Sequence, residues 1–163
     1  MDWFRAVDSY CERTDPSLWS EPLNAISNAA FLIAAAVAWR IAARAGDAGG
    51  RLLAVTLAVI GVGSALFHAH AQVWALVADV LPIQAFILLY LFLATRRFFG
   101  APGWAAALAT LAFVPASQIA AAGLARVVGP LNGSVGYLPV PILLAAFALA
   151  LRRRAPETAR GLA

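Results

Sequence analysis

The chain has 163 residues, 63% of them hydrophobic and 12% charged, with a mean hydropathy of +0.81. Soluble domains carry roughly 25% charged residues, so this composition excludes an ordinary soluble globule and defines a membrane protein. The formal charge of +4 and the pI near 10.2 rest on 12 basic residues, all arginine, that lie mainly between apolar runs and set topology; nucleic-acid binding is excluded as the meaning of that charge.

The first twenty residues are polar and acidic. They lack the basic start and apolar core of a cleavable signal peptide, so an acidic extramembrane head over residues 1–20 is expected instead. Within it, Asp8-Ser9-Tyr10-Cys11-Glu12-Arg13-Thr14-Asp15 leads on to Glu21 and Asn24. Several hard oxygen donors in a short irregular stretch suit calcium better than zinc. A solvated acidic head with helix-cap residues is the plainer alternative. Cys11 is the single cysteine, which excludes an intrachain disulfide and a cysteine-rich metal site.

Five apolar runs follow, at about Leu23–Ala43, Leu52–Ala69, Val73–Ala94, Trp104–Val127 and Val135–Leu151. Each approaches or reaches the roughly 20 residues that a bilayer crossing needs. An all-α polytopic transmembrane bundle is predicted, as one domain over 1–163 with no internal repeat. Ser20 is read as the N-cap of the first crossing, with Glu21 and Pro22 in its first turn. Gly49-Gly50, Gly100 to Gly103 with Pro102, and Gly129-Pro130 are read as the breakers between helices. Asn24, Ser27 and Asn28 recur at helical spacing on the first crossing and are expected to bond neighbouring helices.

Ser64 and His68, four residues apart in the second run, share one helix face. Alone, the pair reads as a helix-bonded hydroxyl and an interfacial histidine, with Gly61 and Gly63 marking close helix packing. Asp79, eleven residues after His68 in the third run, tips the reading towards a site. An ionisable group inside a membrane-length segment is costly and is kept mainly where it faces a cavity or a partner. Arg96 and Arg97 lie at the other end of that run, too far off to pair with it, and Pro82 weakens the local backbone ladder. His70 sits about 200° around the helix from His68 and reads as interfacial; a loop-borne His-x-His chelate requires the helix to have ended first.

If all five runs span, Arg44, Arg51, Arg96, Arg97, Arg152, Arg153 and Arg154 fall on one side, and Arg5, Arg13 and Arg126 on the other. The positive-inside rule then puts the N-terminus and the His68 end of the second helix outside the cytoplasm, on the same side as the acidic head. An integral multi-pass protein of a bacterial inner membrane is expected. Pro156-Glu157 reads as the start of a further helix near the end of the sequence.

The residues resemble the alkaline ceramidases and their bacterial relatives, within a superfamily of seven-helix membrane hydrolases. Tyr10-Cys11-Glu12 with Glu21-Pro22-Leu23-Asn24-Ala25-Ile26-Ser27-Asn28 looks like the family's opening segment. Gly63-Ser64 with His68 looks like its serine–histidine motif, and Asp79-Val80-Leu81-Pro82 like its aspartate motif. By that resemblance His68 binds zinc, while Ser64 and Asp79 line the zinc site and act on its water. Asp8, Tyr10, Glu12 and Glu21 take calcium, and the reaction is hydrolysis of a ceramide-like lipid to a sphingoid base and a fatty acid. The partners implied are membrane lipids and that substrate; no protein partner is indicated. The family completes its zinc site with a His-x3-His pair on its last helix, whereas the 163 residues contain only His68 and His70. Five crossings of an implied seven are therefore expected, in a C-terminally incomplete chain that is expected to hold zinc weakly and to be inactive by itself. The alternatives are a non-catalytic membrane scaffold or, of a third class, a transporter using Asp79 as a proton relay. The transporter lacks a second intramembrane group to receive the proton.

Overall fold

The computed structural model describes residues 2–7, 13, 15, 17, 19–129 and 131–152. Asp8, Tyr10, Cys11 and Glu12 lie outside the described residues, as do Arg153, Arg154 and the Pro156-Glu157 helix start. The described residues form α1 (Pro22–Ser27), α2 (Ala29–Arg44), α3 (Ala48–His70), α4 (Val73–Phe99), α5 (Gly103–Val128), a 3-10 segment (Leu131–Tyr137) and α6 (Pro139–Leu151). Five stretches are long and apolar enough to cross a membrane: Pro22–Arg44, Ala48–His70, Val73–Phe99, Gly103–Val128 and Ser134–Leu151. The protein is an all-α, multi-pass membrane protein. Its two compact units are Met1–Tyr90 and Leu91–Ala163.

In the first unit, the opening crossing departs from the sequence reading at its start. Glu21, not Ser20, occupies the N-cap of α1, and its side chain makes no cap bond to the first turn. Ser20 is diverted: its hydroxyl accepts from the Asp15 N–H at 3.2 Å and so shapes the head. The crossing is interrupted at Asn28, where the Ser27 hydroxyl (2.8 Å) and the Asn28 amide (2.9 Å) both donate to the Asn24 carbonyl. Helical spacing predicts that these side chains reach other helices. Ser27 and Asn28 turn back on their own backbone instead, as short polar side chains do when they compete with the helical ladder.

Helices α2 and α3 pack closely through small residues. Ala35, Ala42, Ala54 and Gly61 are buried, and a Cβ on Gly61 would lie 2.9 Å from that of Phe31. The break between them falls at Gly46, whose φ of +65° suits glycine, and not at Gly49-Gly50. Asp47 caps α3 by accepting from the Gly50 N–H at 3.0 Å, which draws both of those glycines into the first turn. The predicted breaker at Gly100 to Gly103 does separate α4 from α5, with Gly103 itself the first residue of α5.

The α3–α4 connection is short and strapped. Ala71 takes a left-handed conformation (φ 44°) and returns its N–H to the Phe67 carbonyl at 2.7 Å. The head crosses this turn: after a turn at Trp3-Phe4, Ala6 forms an antiparallel bridge with Gln72. Val7 N–H donates to the Ala71 carbonyl (2.8 Å), while Val73 and Trp74 N–H donate to the Arg5 and Trp3 carbonyls (both 3.1 Å). The first N–H groups of a helix have no partner within it, and the head supplies two for α4. In the second unit, Phe99 and Phe147 meet edge to face at 5.0 Å beside an apolar groove of about 440 Å³.

Candidate active site

Ser64 lies six residues before the end of α3, and Asp79 lies six residues after the start of α4. At 1.5 Å per residue, each is about 9 Å from the turn, so two antiparallel helices carry them to the same depth. Gly63 sets how near they come. A Cβ there would overlap the Ala78 carbonyl oxygen and stand 3.3 Å from Asp79 Cα. Pro82 has no N–H to offer the Ala78 carbonyl four residues back, so the carbonyl that faces Gly63 has lost its usual helical donor. A glycine on one helix and a proline on the other thus let the two backbones touch at the site.

Ser64 (9% exposed), His68 (7%) and Asp79 (7%) are all buried. The Ser64 hydroxyl is a hydrogen-bonding neighbour of the Asp79 carboxyl, and His68 acts on it electrostatically. Among the described residues, Asp79 Oδ1 is the one buried side-chain oxygen or nitrogen with no hydrogen-bond partner. Buried polar groups are nearly always paired, so an unpaired carboxyl oxygen beside a serine and a histidine marks a place prepared for something else.

His68 is fixed from the other side by Glu21, which is 2% exposed. Nδ1 of His68 lies 2.6 Å from Glu21 Oε2, and Arg13 Nε donates to Glu21 Oε1 at 2.7 Å. Arg13 Nη2 also donates to the His68 carbonyl at 2.9 Å. The sequence offers Glu21 as an oxygen donor for calcium; in the structure both of its oxygens meet protein groups. Arg13, which in the sequence marks only topology, is one of them. Glu21 and His68 are 47 residues apart, and no periodic pattern could have joined them.

His70 belongs to the last turn of α3, so the helix has not ended and the loop chelate does not form. It is exposed, with its ring 5.2 Å from that of Trp74. A catalytic zinc takes three protein ligands. His68 and Asp79 offer one imidazole and one carboxylate, and no group of three or more His, Cys, Asp or Glu that could hold a metal forms among the described residues. The described residues alone therefore fall short of a complete zinc site.

Fold and site together define a helical membrane protein with a buried serine, histidine and aspartate at the α3–α4 end of its first unit. A family model described as Ceramidase matches residues 9–147, and the chain belongs to the ceramidase family. The match runs well past the first-half motifs, through α5 and into α6. Neither the curated proteins nor the solved structures compared gave a match. At family level, the protein is a ceramidase-like hydrolase.

Proposed function

We propose that the protein hydrolyses the amide of a ceramide-like lipid, releasing a sphingoid base and a fatty acid. The observation that carries this reading is the unpartnered Asp79 oxygen, buried beside Ser64 and His68 in a chain of this family. Water attacks the amide carbon, and the carbon–nitrogen bond breaks. Asp79 is the general base that takes the water's proton and the acid that delivers it to the departing nitrogen. The Ser64 hydroxyl donates to the Asp79 carboxyl and orients it, and its oxygen is left to accept from the lipid's N–H and O–H groups.

Zinc and calcium belong to this proposal. A bound zinc would lower the pKa of its water and polarise the carbonyl. Among the described residues His68 would hold it, with the Asp79 carboxyl beside it kept free as the base; that is fewer than the three protein ligands of a catalytic site, so zinc held there is expected to be lost on dialysis against chelator. Stoichiometric zinc surviving that treatment would contradict this reading of the ligand set. Calcium is proposed for the head at Asp8, Tyr10 and Glu12, whereas both Glu21 oxygens already meet protein groups. The orientation proposed is N-terminus and His68 outside the cytoplasm, in a bacterial inner membrane.

The test is product formation. Protein reconstituted in lipid and saturated with zinc is given a ceramide, and both products are followed by mass spectrometry. Sphingoid base and fatty acid are expected in equal amounts, above an empty-vesicle control. Their absence from a folded preparation would overturn the proposal.

A further inference from the structure

We infer that Arg13, Glu21 and His68 form one hydrogen-bonded chain in which Glu21 is a positioning residue for His68 and Arg13 is the fixed cation on that carboxylate. A carboxylate as enclosed as Glu21 needs a countercharge and partners for both oxygens. It has them in Arg13 Nε at 2.7 Å and His68 Nδ1 at 2.6 Å. Arg13 is itself held on all sides. Nη1 donates to the Asp15 (3.2 Å) and Ser17 (3.4 Å) carbonyls, and Nη2 to the His68 carbonyl (2.9 Å). The planar fork of a guanidinium is suited to such multiple, partly buried engagement. A surface ion pair would not be braced by three backbone carbonyls.

Two consequences follow from the geometry. With the guanidinium on Oε1, Glu21 is an acceptor, so the proton of the 2.6 Å bond sits on His68 Nδ1. The tautomer is then fixed, with Nε2 the unprotonated, basic nitrogen. Second, calcium needs six to eight oxygen ligands, and Glu21 has none to spare while Arg13 is in place. The arginine does for Glu21 what a bound cation would do, and ties the head to α3 at the His68 carbonyl.

The inference uses the hydrolase reading only for its significance, because its test needs no substrate. The full chain carrying His70→Gln, with His68 as its single histidine, is labelled with ¹⁵N-histidine, stripped of metal and studied by NMR at alkaline pH. Protonated Nδ1 and bare Nε2 are expected. Glu21→Leu is expected to move most of the population to the Nε2–H form that free imidazole favours. If Glu21→Leu fails to fold, Glu21→Gln keeps the shape and is expected to shift the Nδ1 proton out of the charge-assisted range. A wild-type Nε2–H tautomer, or a tautomer and proton shift indifferent to Glu21, would overturn the positioning role. Any rise in melting temperature from EGTA to calcium chloride is expected to be the same size in the wild-type chain and in Glu21→Gln. A calcium-dependent rise that Glu21→Leu or Glu21→Gln removes would overturn the role given to Arg13. Absence of ceramide hydrolysis would leave both results standing.

Discussion

Asp79 keeps one carboxyl oxygen unpaired in the interior of the first unit, and that state costs stability. An unsatisfied buried group costs about 1–3 kcal/mol. Asp79→Asn removes the charge and keeps the shape, so it is expected to melt at or above the wild-type temperature in detergent; a large drop would make Asp79 a structural residue. In the head, the Ser17 N–H donates to Asp15 Oδ1 at 2.7 Å, and with the Ser17 hydroxyl it holds the Asp15 carboxyl below its ordinary range. A lowered folded-state pKa stabilises above the unfolded value and loses that contribution as pH falls through the folded one. The Ser17 amide is therefore expected to be protected from exchange at neutral pH and to lose protection only at pH below the free carboxylate value of about 3.9. Protection that does not change with pH would remove the turn. Spacing alone makes Ser64, His68 and Asp79 legible, since four residues is one turn and short loops force antiparallel neighbours. Arg13 and its partners are not legible, because a loop residue carries no period and its bonds reach across 55 residues to His68.

Helices and turns show the same division between local and distant signals. The five crossings can be read from apolar length, with bounds that fall within a few residues of the helices. Composition misplaces a breaker where a cap overrides it, as when Asp47 draws Gly49 and Gly50 into α3. The α1–α2 interruption depends on which carbonyl Ser27 and Asn28 choose, and hydropathy does not record that choice. At the α3–α4 crossing, Gly63→Ala sets a methyl group against the backbone of Ala78, which cannot swing aside as a side chain would. Such overpacking costs about 1–3 kcal/mol. Gly63→Ala is expected to melt lower and, by moving Ser64 away from Asp79, to lose hydrolysis. A methyl group on Gly123 in α5 would meet nothing within 4 Å, so Gly123→Ala is expected to gain about 0.5–1 kcal/mol from helix propensity. Equal melting of the two variants would refute the close approach.

Across the molecule, arginine placement makes a claim that the helices by themselves do not. Single cysteines at position 4, exposed in the head, and at position 45, exposed in the α2–α3 turn, test it in a Cys11→Ser background. An impermeant maleimide added to intact cells is expected to label Phe4→Cys and spare Ala45→Cys; the reverse pattern would invert the topology. The head, the strapped α3–α4 turn and the Ser64–His68–Asp79 group all lie in Met1–Tyr90, so the proposed chemistry is a property of that unit's residues. The most direct test compares ceramide hydrolysis by Asp79→Asn and wild-type protein, at equal folded concentration, in the same zinc-saturated lipid. If Asp79 moves the proton, the variant should lose about 10²–10⁴-fold in rate while keeping its fold. Asp79→Asn hydrolysing ceramide at the wild-type rate would contradict the account.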